Sequence, residues 1–534
     1  MKAKIKLGLA LMTVAASTVA GCSFKKNKTA AGTVQFWSSF GGAYTTVLNG
    51  VVEGIQKETG ITIEHTSQGS YDKINTDMIN AIAVGDYPNI AMGYPDHFAT
   101  YLSSGILKPL DNYLSEDDIK DYYSEYMSEN YFYDDGRQNA QKKIYALPFN
   151  KSTELLGYNG VFVDYCTTIN PALAQIPETW GEWESKGPAY NTIFRDLMGK
   201  KVYGVQSTEG AASDFVVLGE NDPAPEGKKL LLDMSKVDTN TSVLMSWDAT
   251  DNAFITLTRQ WGAEYTNLPE TESTKKAKDR IGKVLFNSST NQPKVISMLK
   301  FFNKLNKAGI FGTPASLGGQ YSSDAFAKCN VMFMICSSGG LSYNTAVWEH
   351  RFRVSPIPYL EANRKQVISQ GANICMTDKG EYENSVNVIK ALTTGKFQTE
   401  WCLQTGYYPC SKSALESKEY QDFLNEDKTL SATDAYAQPT RVAYREGSKL
   451  NSKYYMNQPD EDGNKVYASS DLEWKKFVDP AFKGSSDLRQ VVKNVLSSVF
   501  AITDVENDDE YKAKLQELEN APKLKGVSTI QFVH

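Results

Sequence analysis

Histidine is almost missing from this chain of 534 residues. His65, His97, His350 and His534 stand far apart, at none of the spacings by which paired histidines hold zinc, and there is no CxxC pair to supply sulfur ligands. Other chemistry-bearing signatures are missing too. There is no GxSxG elbow, no GxxxxGKS/T phosphate loop, no HExxH and no GxGxxG following a strand. Lys and Arg number 56 against 63 Asp and Glu, a net charge of −7, with no dense basic patch interleaved with aromatics. That argues against a nucleic-acid partner. After Cys22 no apolar run is long enough to span a bilayer as a helix. These absences favour a binding protein over an enzyme and call for no metal or cofactor. A glycosidase would escape such a search, because its two carboxylates need only meet in space. A surface hydrolase acting on glycosides or phosphodiesters therefore stays as the alternative, and an adhesin or scaffold as a third.

What is present is a globular composition. Hydrophobic residues make up 41% and charged residues 22%, and the length exceeds what one compact core holds, so two large lobes are expected. Aromatics reach 11%, with 30 Tyr and 8 Trp, side chains that offer an apolar face and a polar edge to sugar-like ligands. Of seven cysteines, Cys166, Cys329, Cys336, Cys375, Cys402 and Cys410 fall in or beside apolar segments and read as free, buried small hydrophobes, although an even number also permits disulfides.

The start of the chain indicates a compartment. Lys2, Lys4 and Lys6 precede an apolar run, Leu7–Ala20, that is shorter than the ~20 residues of a spanning helix. Val19-Ala20-Gly21-Cys22 resembles a bacterial lipobox, which implies cleavage after residue 21 and a lipid on the Cys22 thiol. The alternative is an ordinary signal peptide with an incidental cysteine. Residues 22–32, with Lys25, Lys26 and Lys28, read as a polar tether next to anionic headgroups. The protein is expected outside the cytoplasm, anchored to the outer face of the cell membrane.

Beyond the tether, Thr33–Trp37, Ile61–His65 and Asn89–Met92 read as strands. They alternate with helices Tyr44–Glu58, apolar at Val47, Val51, Val52 and Ile55, and Ser70–Val84, apolar at Ile74, Met78, Ile79 and Ile82. This is an α/β layered pattern with a largely parallel sheet. A second such stretch follows Ile144–Phe149, with helices at Trp180–Met198 and Val295–Leu305 and strands at Val202–Val205 and Val331–Ile335. Residues 220–290 are rich in charge and turn formers and read as insertions over a lobe. Helices Val386–Leu392, Thr399–Leu403, Leu488–Phe500 and Glu510–Leu518 dominate the last third, and 460–464 (DEDGN) reads as a hairpin turn.

Several segments together resemble the family 1 extracellular solute-binding proteins. They are Thr33–Ser38 (TVQFWS), Gly69–Asp72 (GSYD), Gly85–Ile90 (GDYPNI), Leu147–Thr153 (LPFNKST) with Tyr158-Asn159, and Pro177–Trp180 (PETW). Cys336–Gly339 (CSSG), Gln370–Asn373 (QGAN) and Thr405–Pro409 (TGYYP) complete the series. The resemblance covers residues 33 to about 500, apart from 220–290 and parts of 411–470. It implies a two-lobed periplasmic-binding-protein fold, with a hinge and an interlobe cleft. Lobe 1 would comprise 33–151 plus about 313–368, and lobe 2 152–312 plus about 369–534. It also implies a monomeric substrate-binding lipoprotein that hands a small polyhydroxylated solute to ABC permease subunits.

Within the family the likeness is greatest to its glycerophosphate-binding branch, whose ligand residues carry over as Tyr71, Ser152, Trp180, Ser337, Gly371, Tyr407 and Arg489. A guanidinium fork, two hydroxyls and a backbone N–H would make a phosphate or polyol cradle, and an indole would cover ligand C–H groups. One departure matters. The family branch has a Glu directly after the Tyr of the third strand, whereas here Tyr94 is followed by Pro95 and then Asp96. Either Asp96 substitutes, or the ligand's hydroxyl end differs, which leaves both a sugar and a polyol phosphate open. Each residue also has a plainer reading. Trp180 could anchor its helix, Tyr71 and Tyr407 could be lobe packing, Ser337 and Gly371 could end strands, and Arg489 could be a solvated helix residue.

Overall fold

Two β-sheets organise the chain. The computed structural model describes residues 32–133, 141–206, 211–345, 352–425, 438–452, 458–459, 465–466 and 474–534. The leader, the lipobox with Cys22 and the tether up to residue 31 lie outside the described residues, as does the 460–464 turn. The short runs flanking that turn, Gln458–Pro459 and Lys465–Val466, do pair antiparallel.

The first sheet has the spatial order Thr62–Ser67, Thr33–Ser38, Ile90–Gly93, Asn373–Met376, Ala146–Pro148. Its first three strands are parallel, joined by helices Gly42–Thr59 and Tyr71–Val84, and Asn373–Met376 runs antiparallel to both its neighbours. The helix ends follow local chemistry. Gly60 takes a left-handed conformation (φ 71) that closes the first helix, and the Ser70 hydroxyl accepts from the Lys73 N–H to open the second. Of the apolar positions expected, Val51, Val52, Ile55, Ile74 and Met78 are buried, Val47 and Ile82 are half-buried against the core, and Ile79 stands 44% exposed.

The second sheet runs Phe311–Gly312, Met245–Trp247, Phe333–Ser337, Ser152–Tyr158, Gln366–Gln370, Lys475–Phe477, with Arg353–Ser355 also paired to Ser152–Tyr158. Helices Trp180–Leu197, Thr250–Gln260 and Gln292–Lys307 pack their apolar faces into its core. Residues 220–290 are therefore not an insertion over a lobe. Met245, Trp247, Phe254, Ile255 and Leu257 are fully or almost fully buried at its centre, on elements too short to stand out among charged neighbours.

The lobe boundaries also move. Phe333–Ser337, expected in lobe 1, pairs in the second sheet, and Asn373–Met376 with the helices through Asn425, expected in lobe 2, belongs to the first. The chain crosses between sheets at residues 149–151 and again at Gly371, and helix Gln438–Leu450 spans back, with Tyr444 in one core and Leu450 in the other. A short apolar strand carries no mark of which sheet it will join, so the crossing points decide. The expected helix Leu488–Phe500 forms two pieces, Ser485–Val492 and Val495–Val499. All six described cysteines are free and buried, which matches their reading as small hydrophobes.

Candidate functional site

The two crossings meet behind a cavity of about 800 Å³ walled by both lobes. Gly371 sits at the tightest point. Its φ is +95, and a Cβ there would lie 1.8 Å from the Asn150 carbonyl oxygen, so only glycine lets the crossing strands approach. The Lys151 ammonium donates to the Gly371 carbonyl (3.0 Å) and forms a fully buried ion pair with Glu129, whose Oε1 also accepts from Asn373 Nδ2 (2.8 Å). Ser152 and Ser337 stand opposite each other just beyond, hydroxyl to hydroxyl at 3.3 Å.

Lobe 1 contributes tyrosines. The cap at Ser70 places Tyr71 in the first turn of its helix, and Tyr94 caps the helix Pro95–Ser103. Their rings lie 4.6 Å apart, and the Tyr71 hydroxyl accepts from Asn150 Nδ2 (2.6 Å). Tyr407 stacks on Trp401 and leans over Gly339, where a Cβ would come within 2.6 Å of its ring. Burial raises the pKa of all three phenols, so they are neutral hydrogen-bonding groups. Asp96 lines the cavity and accepts from the His97 N–H (3.0 Å), while burial lowers the His97 pKa and keeps the ring neutral.

Lobe 2 contributes charge. The first turn of helix Thr250–Gln260 sets Asp251 and Asn252 side by side, and Arg489 Nη2 donates to Asp251 Oδ2 (3.0 Å) and to Asn252 Oδ1. Burial opposes the guanidinium charge, but Asp251, Asp96 and Asp479 outweigh it and raise the Arg489 pKa. Asp479 is itself oriented by an ion pair with Arg259. Gln490 reaches over the gap to Asp72 of lobe 1 (3.0 Å), so the lobes touch across the cavity.

Seven of the eight expected ligand residues thus line one cavity: Tyr71, Asp96, Ser152, Ser337, Gly371, Tyr407 and Arg489. Trp180 does not. Its indole is fully buried in the lobe 2 core, edge-on to Phe302 at 4.8 Å, with Nε1 donating to Gln260 Oε1 (2.8 Å). The capping box of Thr179 and Glu182 starts the helix at Trp180 with the indole turned inward, so this residue anchors its helix.

Sequence reasoning missed a second set of wall residues. On Tyr265, Thr266, Ser369, Gln370 and Asp479, all of which line the cavity, one side-chain polar atom each is buried without a hydrogen-bond partner among the described residues. Other such atoms lie elsewhere among the described residues, but these five face a cavity, where a polar ligand would give them partners. The cavity-lining charges are unequal: Asp72, Asp96, Glu129, Asp251, Asp479 and Asp487 face Arg489, Lys493 and Lys523.

The sequence model of the bacterial extracellular solute-binding proteins matches residues 50–427. The chain belongs to this family. Among its relatives is the sn-glycerol-3-phosphate-binding periplasmic protein UgpB of Escherichia coli K12, 22% identical over 423 residues that cover 77% of this chain and 82% of that one. Similar solved structures include UgpB of Mycobacterium tuberculosis in complex with glycerophosphocholine (TM-score 0.60, 16% identity, 92% of this chain and 99% of that one). Another is the GacH receptor of Streptomyces glaucescens, solved unliganded and with acarbose (TM-score 0.58, 14% identity, 92% and 98%). These likenesses establish the two-lobed binding-protein fold. By its family the chain is the solute-capturing component of an ABC importer, working outside the cytoplasm. Asp251, Asn252, Tyr265 and Thr266 were hidden because they lie in 220–290, where no family-like motif shows.

Proposed function

We propose that the captured solute is a neutral, polyhydroxylated molecule of the carbohydrate class, held between the lobes and passed to the permease without chemical turnover. Tyr71, Asp96, Ser152, Ser337, Gly371, Tyr407 and Arg489 would contact it, joined by Gln370 and Asp479. In this reading residues 1–21 are removed, Cys22 carries the lipid anchor, and the mature protein acts as a monomer.

The set of unpartnered polar atoms, on a wall with twice as many carboxylates as cations, carries the proposal. Sugar hydroxyls donate to carboxylates and amide oxygens and accept from tyrosine and serine hydroxyls, so they satisfy such a wall without adding charge. A phosphate would have to displace carboxylates that already neutralise Arg489. A polyol phosphate remains the second reading, favoured by the guanidinium itself and by the glycerol-3-phosphate-binding relative.

Calorimetry with a panel of neutral sugars, glycerol 3-phosphate and glycerophosphocholine separates the two. The account expects binding of a neutral sugar, weakened about ten- to a hundredfold in Asp479→Asn, the loss for one hydrogen bond to a charged group. Binding of the phosphates alone, abolished by Arg489→Ala, would establish the second reading.

A further inference from the structure

Within 220–290, whose strands and helix help build lobe 2, one stretch leaves its own lobe. Thr266–Asn267 pairs with Gly282–Val284, which also pairs with Ile530–Phe532, so both ends of residues 268–281 are rooted in lobe 2. The stretch is braced from within. The Glu272 carboxylate accepts from the Ile281 N–H (2.8 Å) and the Lys275 ammonium (2.9 Å), and Arg280 Nε donates to the Lys275 carbonyl (3.1 Å). Its far side meets lobe 1. The turn Ala277–Asp279 packs on helix Pro95–Ser103, which carries Asp96 and His97 of the cavity wall. Arg280, only 5% exposed, donates from Nη1 to the Tyr133 carbonyl (3.2 Å), and its guanidinium lies 5.8 Å from the centre of the Tyr133 ring. Tyr133 ends the strand Tyr131–Tyr133, whose hairpin partner Lys142–Ile144 leads into the first sheet. The near end of the stretch follows Tyr265 and Thr266, cavity residues whose buried hydroxyls have no partner among the described residues.

We propose that residues 268–281 are a strap by which the cavity wall of lobe 2 holds lobe 1, with Arg280 as the positioning residue that fastens it. This rests on the solute sitting in the interlobe cavity, as under the proposed function, but not on its chemical class. The lobes cannot part without breaking the Arg280–Tyr133 contact and lifting Ala277–Asp279 off its helix, so the strap slows solute release. A solute seated against Tyr265 and Thr266 fixes the root of the strap and strengthens its hold. The lysines that make this stretch basic are not the fastening: Lys275 pairs with Glu272, and Lys276 and Lys278 point to solvent.

Spin labels at the exposed positions Glu53→Cys, on helix Gly42–Thr59 of lobe 1, and Glu184→Cys, on helix Trp180–Leu197 of lobe 2, report the interlobe distance in the full chain. With no solute added, wild type should give one dominant distance. Arg280→Ala should raise the population of a second, open-state distance about tenfold or more, the loss for one hydrogen bond from a charged donor. Arg280→Lys keeps a donor for the carbonyl and should restore much of the dominant distance, while Lys276→Ala should match wild type. Should the alanine variant fail to fold, the lysine variant, with an intermediate open population, carries the test. A distribution in Arg280→Ala identical to wild type would overturn the strap, as would equal opening in Lys276→Ala. Maltotriose, glycerol 3-phosphate and glycerophosphocholine then serve as probes. Each one that binds wild type should leave Arg280→Ala about tenfold faster with little change in association, and an unchanged dissociation rate would overturn the proposal. Binding of the phosphates alone, with that faster release, would remove the carbohydrate reading and support the strap.

Discussion

Glu154, one pleat beyond Ser152, is buried at the base of the site. Trp247 Nε1 donates to its Oε1 (2.8 Å) and Asn252 Nδ2 approaches the same oxygen (3.4 Å), while Oε2 has no partner among the described residues. Burial, reinforced by Asp251, pushes the carboxyl up to about 8 from an ordinary 4.5. Between those values the folded protein keeps a proton that the unfolded chain has released. The stability linked to this group is therefore complete below about pH 4.5 and lost as pH rises toward 8. Glu154→Gln should remove up to about 1.4 kcal/mol per pH unit from the slope of urea stability across that window. An unchanged slope would mean that another group is responsible. Asn252 connects Glu154 to Arg489, so the titrating carboxyl is one side chain away from the cavity wall. Single residues were unevenly legible. The motif positions of Tyr71, Ser152 and Arg489 led to the cavity, whereas Trp180, equally prominent in sequence, turned inward, because a helix start fixes where a residue lies and not which way its ring faces.

At the level of elements, the periodic segments of the first sheet were readable, since helices Gly42–Thr59 and Tyr71–Val84 carry full apolar stripes and explicit caps. Met245–Trp247 was not, since three residues show no period, and its membership in the second sheet depends on partners nearly a hundred residues away in the chain. The lobe boundaries failed for the same reason, because strand partnership at the crossings is a tertiary choice. Those crossings give an element-scale prediction. Gly371→Ala adds a Cβ that collides with the Asn150 backbone and holds an alanine at φ +95, so it should destabilise the protein by at least about 1–3 kcal/mol. Chemical denaturation measures this directly. Gly85→Ala, with a positive φ but open space around it, should cost less; equal costs would deny that Gly371 is set by the close crossing.

For the molecule as a whole, two lobes with separate cores share two crossing strands, a spanning helix and one polar cavity. Closing such lobes over a solute trades its water for wall groups that otherwise lack partners, which makes capture tight and gives the permease a distinct closed surface to recognise. The central claim is that the solute is a neutral carbohydrate, and the most direct test lets the cell choose it. Protein isolated gently from its own cells is weighed by native mass spectrometry, and the bound species is then freed and weighed alone. The account predicts an adduct composed of sugar units without phosphorus, diminished in Asp479→Asn prepared in parallel. A phosphorus-containing adduct held by Asp479→Asn as tightly as by the wild type would contradict it.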